Sequence, residues 1–158
     1  MRSKKADQIL RDIEKYFHFL IERGYKIQEV KELPMENWLV ALSLDNRVIV
    51  IYAEQAEIGV LFSTLDSNLD YRVGLEGMIY YLSNGKTFVG KLEKSFFNAR
   101  KRAFERLSSL LKEYFDQITP YFGADYERYK HEIMLAQQKY LDIFLDKYIP
   151  KQKRRDWE

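Results

Sequence analysis

The sequence predicts an α+β domain: an antiparallel sheet of three to four strands following an N-terminal helix, packed with a short helix and a long C-terminal antiparallel helix pair. Three observations carry this. Between residues 26 and 64, short stretches rich in Val, Ile, Leu and Tyr alternate or run together as strands do. On either side, apolar residues recur at three- and four-residue spacing, as on helices. The strands cluster together rather than alternating with helices, which argues for an antiparallel sheet.

Residues 5–23 place Ile9, Ile13, Tyr16, Phe17, Leu20 and Ile21 at helical spacing, and Gly24 stands where a left-handed C-cap residue belongs. "YKIQEVKEL" reads as a strand leading to Pro34. "NWLVALSLDNRVIVIYAE" reads as a hairpin turning at Asp45-Asn46, two residue types that tolerate positive φ. "EIGVLFSTL" is the next strand, which puts Glu54 and Glu57 in the connecting turn. Residues 66–74, "DSNLDYRVG", read as a polar loop. "LEGMIYYLSNG" sets Leu75, Met78, Ile79 and Leu82 on one helical face and stops at Asn84-Gly85. Gly77 inside it costs a helix about 1 kcal/mol relative to Ala. "KTFVG" is a linker or short strand.

Residues 91–118 keep a helical period from Leu92 to Ile118 and stop at Thr119-Pro120. Asp125 can cap the last helix, whose apolar stripe runs Tyr126, Tyr129, Ile133, Ala136, Tyr140, Ile143, Phe144 and Tyr148 up to Pro150. Residues 1–150 therefore form a single domain and residues 151–158 a charged tail. In the hairpin, Trp38, Val40, Leu42, Ile49 and Ile51 share one face, and Leu39, Ala41, Val48, Val50 and Tyr52 share the other. The second set is too apolar to leave in water. Helices on both faces are the first expectation, and a homodimer through the second face the next.

Composition narrows the function classes. The chain has no cysteine, which excludes disulfides, thiolate metal sites and cysteine nucleophiles and fits a reducing cytoplasm. The charged N-terminus lacks the apolar run of a secretory signal, and no segment is apolar enough to span a membrane. A cytoplasmic protein with no membrane contact is expected. The two histidines are His18 and His131; "HEIML" begins like a zinc-protease helix but has Leu135 where the second ligand belongs, so no metal site is expected. GxSxG, GxxxxGK[ST] and GxGxxG are absent, and no cofactor is expected. Glu54 and Glu57 could do acid–base work, but Gln55-Ala56 follows Glu54 where a nuclease pattern needs Glu-x-Lys. The reading leans away from an enzyme and assigns no catalytic residue.

Net charge is only +2, but its distribution is uneven. Residues 29–76 carry 3 basic and 9 acidic groups, while residues 77–158 carry 16 basic and 11 acidic. The acidic segment, with Glu54, Glu57, Asp66 and Asp70, is expected to face a basic partner protein. The alternative is a nucleic-acid contact through Lys94, Arg100, Lys101, Arg102 and Arg106, joined by Lys153, Arg154 and Arg155 of the tail. Arg100, Lys101 and Arg102 fan through about 200° of a helix, so they do not share one face. Glu105 lies at i+4 from Lys101 and i+3 from Arg102, the pattern of an ion-paired outer face. Aromatics make up 15% of the chain, enough for a bulky core with tyrosine-rich contact surface left over.

The stretch "FHFLIERGYKI…NWLVALSLDNRVIVIYAEQAEIGVLFS", within residues 10–63, resembles a type of small bacterial protein encoded beside toxin genes. The resemblance lies in a helix ending at the Leu20–Gly24–Tyr25 corner, then strands, an acidic turn and "I-x-V-x-F". Some proteins of this type look like immunity proteins, which bind and block a toxin. The resemblance implies non-enzymatic binding of another protein. It carries over no site residues, because the type has no fixed motif.

Overall fold

The computed structural model of the chain describes residues 3–54, 57–65, 73–90, 99–123 and 125–148. Its centre is a five-stranded antiparallel meander in sequence order: β1 (Lys26–Glu32), β2 (Trp38–Leu44), β3 (Arg47–Glu54), β4 (Glu57–Thr64) and β5 (Val73–Gly74). The helices are α1 (Lys4–Tyr16), α2 (His18–Glu22), α3 (Leu75–Leu82), α4 (Ala99–Ile118) and α5 (Tyr126–Tyr148). The fold is α+β, with five strands instead of three to four. The fifth has two residues, too few for alternation to show, and it pairs with Leu61 and Phe62 at the end of what reads as a loop.

α1 starts where the Ser3 side chain accepts a hydrogen bond from the Ala6 amide at 3.0 Å. The expected single helix over 5–23 breaks at Phe17, which leaves helical geometry and is fully buried against Phe104. At the end of α2, Gly24 takes φ +99°, the Gly24 amide donates to Ile21 O and the Tyr25 amide to Leu20 O. That is a Schellman end, and a side chain at that φ would be strained.

One sheet face carries Trp38, Val40, Leu42, Ile49, Ile51, Ile58, Val60 and Phe62, all buried. α1, α3 and α4 cover it with Ile9, Ile13, Met78, Ile79, Phe104, Leu107 and Leu111. Phe104 is the hub: its ring stacks on Tyr16 at 5.3 Å and on Trp38 at 6.1 Å. Burying each such side chain stabilises the fold by about 1.5–3 kcal/mol.

Among the described residues, the C-terminal helices pack more on α3 than on each other, unlike the direct pair expected. α5 packs mainly on α3 and β5, while α4 packs on β4, α3 and α1. Gly77 explains the arrangement. A Cβ there would lie 1.6 Å from Gln137 Oε1 of α5, so the bare backbone of α3 is where α5 sits down. In an ordinary helix Gly→Ala is stabilising by about 1 kcal/mol. Here that gain is expected to be lost and the net change to stay within about 1 kcal/mol, because the Gln137 amide, the end of a flexible side chain, must turn away from the new Cβ. Urea unfolding should show a midpoint no higher than wild type at unchanged slope. Gln137→Ala added to Gly77→Ala should recover part of the loss.

Candidate functional site

The pleat decides which residues look away from the core. The register aligns Lys31, Leu39, Tyr52 and Gly59 in one row and Glu29, Ala41, Val50, Leu61 and Gly74 in the next, all on the outer face. An open groove of about 750 Å³ runs over this face, floored by Ala41, Val48 and Val50 and rimmed by Glu29 and Lys31. No described helix lines it. The expected two-sided helical cover is therefore absent over this groove among the described residues. The reason is the helix order: α3 docks on α4 and α5, and all three gather on the core face and the β5 side. A smaller hollow of about 290 Å³ continues the face past Leu39, Tyr52 and Leu61 to Glu54.

Glu54 and Glu57 are strand residues, not loop residues as expected. They are cross-strand partners closing the β3–β4 ladder. Like charges directly opposite one another repel, and neither glutamate has an ion-pair partner among the described residues. Asp66 and Asp70, the other two expected acids, lie outside the described residues.

Beside the pair, the Tyr52 ring lies over Gly59, where a Cβ would come within 2.5 Å of the phenol oxygen. Gly59 is thus the space that Tyr52 occupies. Burial pushes the Tyr52 phenol up to about 12, and the charges of Glu76, Glu57 and Glu54 act in the same direction. A cleft of about 190 Å³ opens here between β4 and α5, lined by Tyr52, Glu57, Glu76, Arg106, Gln137 and Tyr140. Burial raises the Glu76 carboxyl above the ordinary glutamate range; a backbone hydrogen bond and Arg106, at 3.7 Å, pull the other way. Gln137 Oε1 is buried without a partner against α3. Sequence reading missed this cleft. Its signal was Gly77, a glycine in a helix where another element approaches closely.

The basic candidates scatter. Arg100 is a strut: it pairs with Asp12 at 3.1 Å and lies over the rings of Trp38 and Phe104. Arg106 is turned inward to Glu76 and donates to Val89 O at 3.4 Å. Lys101 and Arg102 face outward, and Lys101 approaches Glu105 at 3.9 Å. Lys94, Lys153, Arg154 and Arg155 lie outside the described residues. His18 sits 3.3 Å from Glu22 on an exposed helix face, and His131 is exposed on α5. Among the described residues no group of three or more His, Asp or Glu could hold a metal ion, and no helix is long and apolar enough to cross a membrane. No protein-family model, curated protein or solved structure matches the chain.

The phenols give a test of this geometry. Burial also pushes Tyr25 and Tyr81 up to about 12; the Tyr81 hydroxyl donates to Glu132 at 3.1 Å. A raised phenol favours the protonated folded state. Its stabilisation is complete below the ordinary value of 10.0 and is lost as pH rises toward about 12. Ultraviolet titration should show late-ionising tyrosines, and Tyr52→Phe should remove one. Glu54→Gln with Glu57→Gln should shift one late step to lower pH.

Proposed function

We propose that the protein is a non-enzymatic binding factor, immunity-like in class, that docks another protein on the outer face of its sheet. The observation that carries this is an open apolar face with an unneutralised acidic pair at its end. Leu39, Tyr52 and Leu61, each half-buried, supply the apolar surface, and Glu54 and Glu57, both exposed, supply the charge. An exposed apolar patch with a polar rim is the usual character of a protein contact. The partner that fits presents apolar side chains flanked by lysine or arginine.

The free sheet edge is a poorer docking place. β1 has charged residues at Lys26, Glu29, Lys31 and Glu32 and a register shift between Ile27 and Glu29. Charges and bulges are what keep an edge from pairing with a further strand. The face, not the edge, is the surface left for a partner. The nucleic-acid reading has less behind it: of its four described residues, Arg100 and Arg106 are engaged inside the fold.

The test is affinity retention from the native cell extract with identification of what is held. Wild type should retain a protein that Leu39→Glu and the pair Glu54→Lys/Glu57→Lys both lose. Each variant should weaken binding about 30-fold or more, the effect of about 2 kcal/mol at a contact centre. Lys101→Glu/Arg102→Glu should retain the same protein as wild type, and circular dichroism should confirm that all variants fold. Equal retention by every variant overturns the proposal. Retention of DNA or RNA at low salt, lost with Lys101 and Arg102, would favour the nucleic-acid reading instead.

A further inference from the structure

We infer that two copies of this chain close on one another through the outer sheet face, with Lys31 of each copy reaching Glu57 of the other. This rests on reading that face as a docking surface, and it names the occupant in the absence of another partner: a second copy. The face is complementary to itself. Its apolar floor lies in the middle, a basic residue stands on β1 at one side, and the acidic pair stands on β3 and β4 at the other.

The sheet register shows how the halves meet. Consider a two-fold axis parallel to the strands, between β2 and β3. It lays β1 of one copy over β4 of the other, and β2 over β3. Leu39 then faces Tyr52, and Ala41 faces Val50, because each pair shares a row of the sheet. Apolar faces meet at the centre, as in two aligned sheets packed about 10 Å apart.

The same operation places Lys31 over Gly59, since both belong to one row. Glu57 lies two residues further along β4 on the same face, about 7 Å away at strand rise. That is within reach of a lysine side chain. The ammonium would arrive at the mouth of the cleft beside the Tyr52 ring, next to the Glu54–Glu57 pair. Lys31, Glu54 and Glu57 have no ion-pair partner among the described residues of one copy. The contact therefore gives each of two unpaired lysines a counter-charge and relieves the carboxylate repulsion twice. Glu29 falls over Leu61, beside Gly74, where a Cβ would lie 3.8 Å from Gln137 Nε2 and from Glu76 Oε2.

The experiment is sedimentation equilibrium of the purified full chain from micromolar to about 100 µM. Wild type should behave as a dimer of about twice the 19.0 kDa chain mass. Ala41→Glu, at a half-buried position on the groove floor, should be monomeric. Lys31→Glu and Glu57→Lys should each weaken the dimer at least about tenfold, because each sets like charges against one another twice. An equimolar mixture of these two variants, or the double variant, should return to near the wild-type constant. A wild-type chain that is monomeric throughout overturns the inference. So does a dimer indifferent to Ala41→Glu, or single-variant losses that neither mixing nor the double variant restores. The outcomes separate from those of the proposed function. A monomeric chain whose retained protein is lost with Leu39→Glu keeps the docking face and discards the dimer. A dimer with charge-swap rescue and no other retained protein does the reverse.

Discussion

The hairpin register between β2 and β3 is the constraint on which the rest depends. Leu44 pairs with Arg47 across Asp45 and Asn46, and Asp45 takes φ +54° to close the turn. That pairing sends Trp38, Val40, Leu42, Ile49 and Ile51 to the helix side. A slip of one residue would send them to the other face and bring Leu39, Ala41, Val50 and Tyr52 inward. Both sets are apolar, so hydrophobicity alone discriminates weakly between them. The larger side chains of the first set are what match Phe104, Phe17 and the α4 leucines. The turn and the bulk of those side chains together choose the core, and the outer face follows as the remainder.

The acidic end of the outer face follows from the same ladder. Continuing β3 and β4 to Glu54 and Glu57 forces two carboxylates into one cross-strand pair. A short loop could have turned them apart; strand geometry holds them together. Beside them, α5 is seated by Gly77, and its Gln137 and Tyr140 wall the cleft in which Glu76 meets Arg106. Arg106 answers one carboxylate in the cleft and leaves Glu57 without a counter-charge. Under the proposed function, the spare negative charge and apolar walls of this site are what a basic side chain of a partner would meet.

Much of the fold was legible from local pattern. The N-terminal helix and its Gly24 end, the hairpin at Asp45-Asn46, the third long strand and the later helices all follow from spacing and turn chemistry. β5 was not legible, because two residues carry no period and their pairing with Leu61 and Phe62 is a long-range event. The break at Phe17 was hidden because its apolar spacing continues straight through it. For the site, Glu54 and Glu57 could be picked out, but as turn residues: a strand that runs on through a charged end looks in sequence like the start of a loop. Glu76, Arg106 and Gln137 belong to three helices far apart in the chain, and no spacing rule brings them together.

By itself, then, the sequence determined element types, the two alternating faces of the central strands and the absence of thiol chemistry, because each rests on neighbouring residues or on composition. Tertiary structure alone decided that α5 packs more on α3 than on α4, and that Arg100 and Arg106 are structural ties. It also decided that the acids form a cross-strand pair and that no described helix covers the outer groove. Those outcomes depend on which surfaces fit when distant segments meet. The small gap at Gly77, the bulk of Phe104 and the closed ladder at Glu54–Glu57 settle them, and each acts across the chain rather than along it.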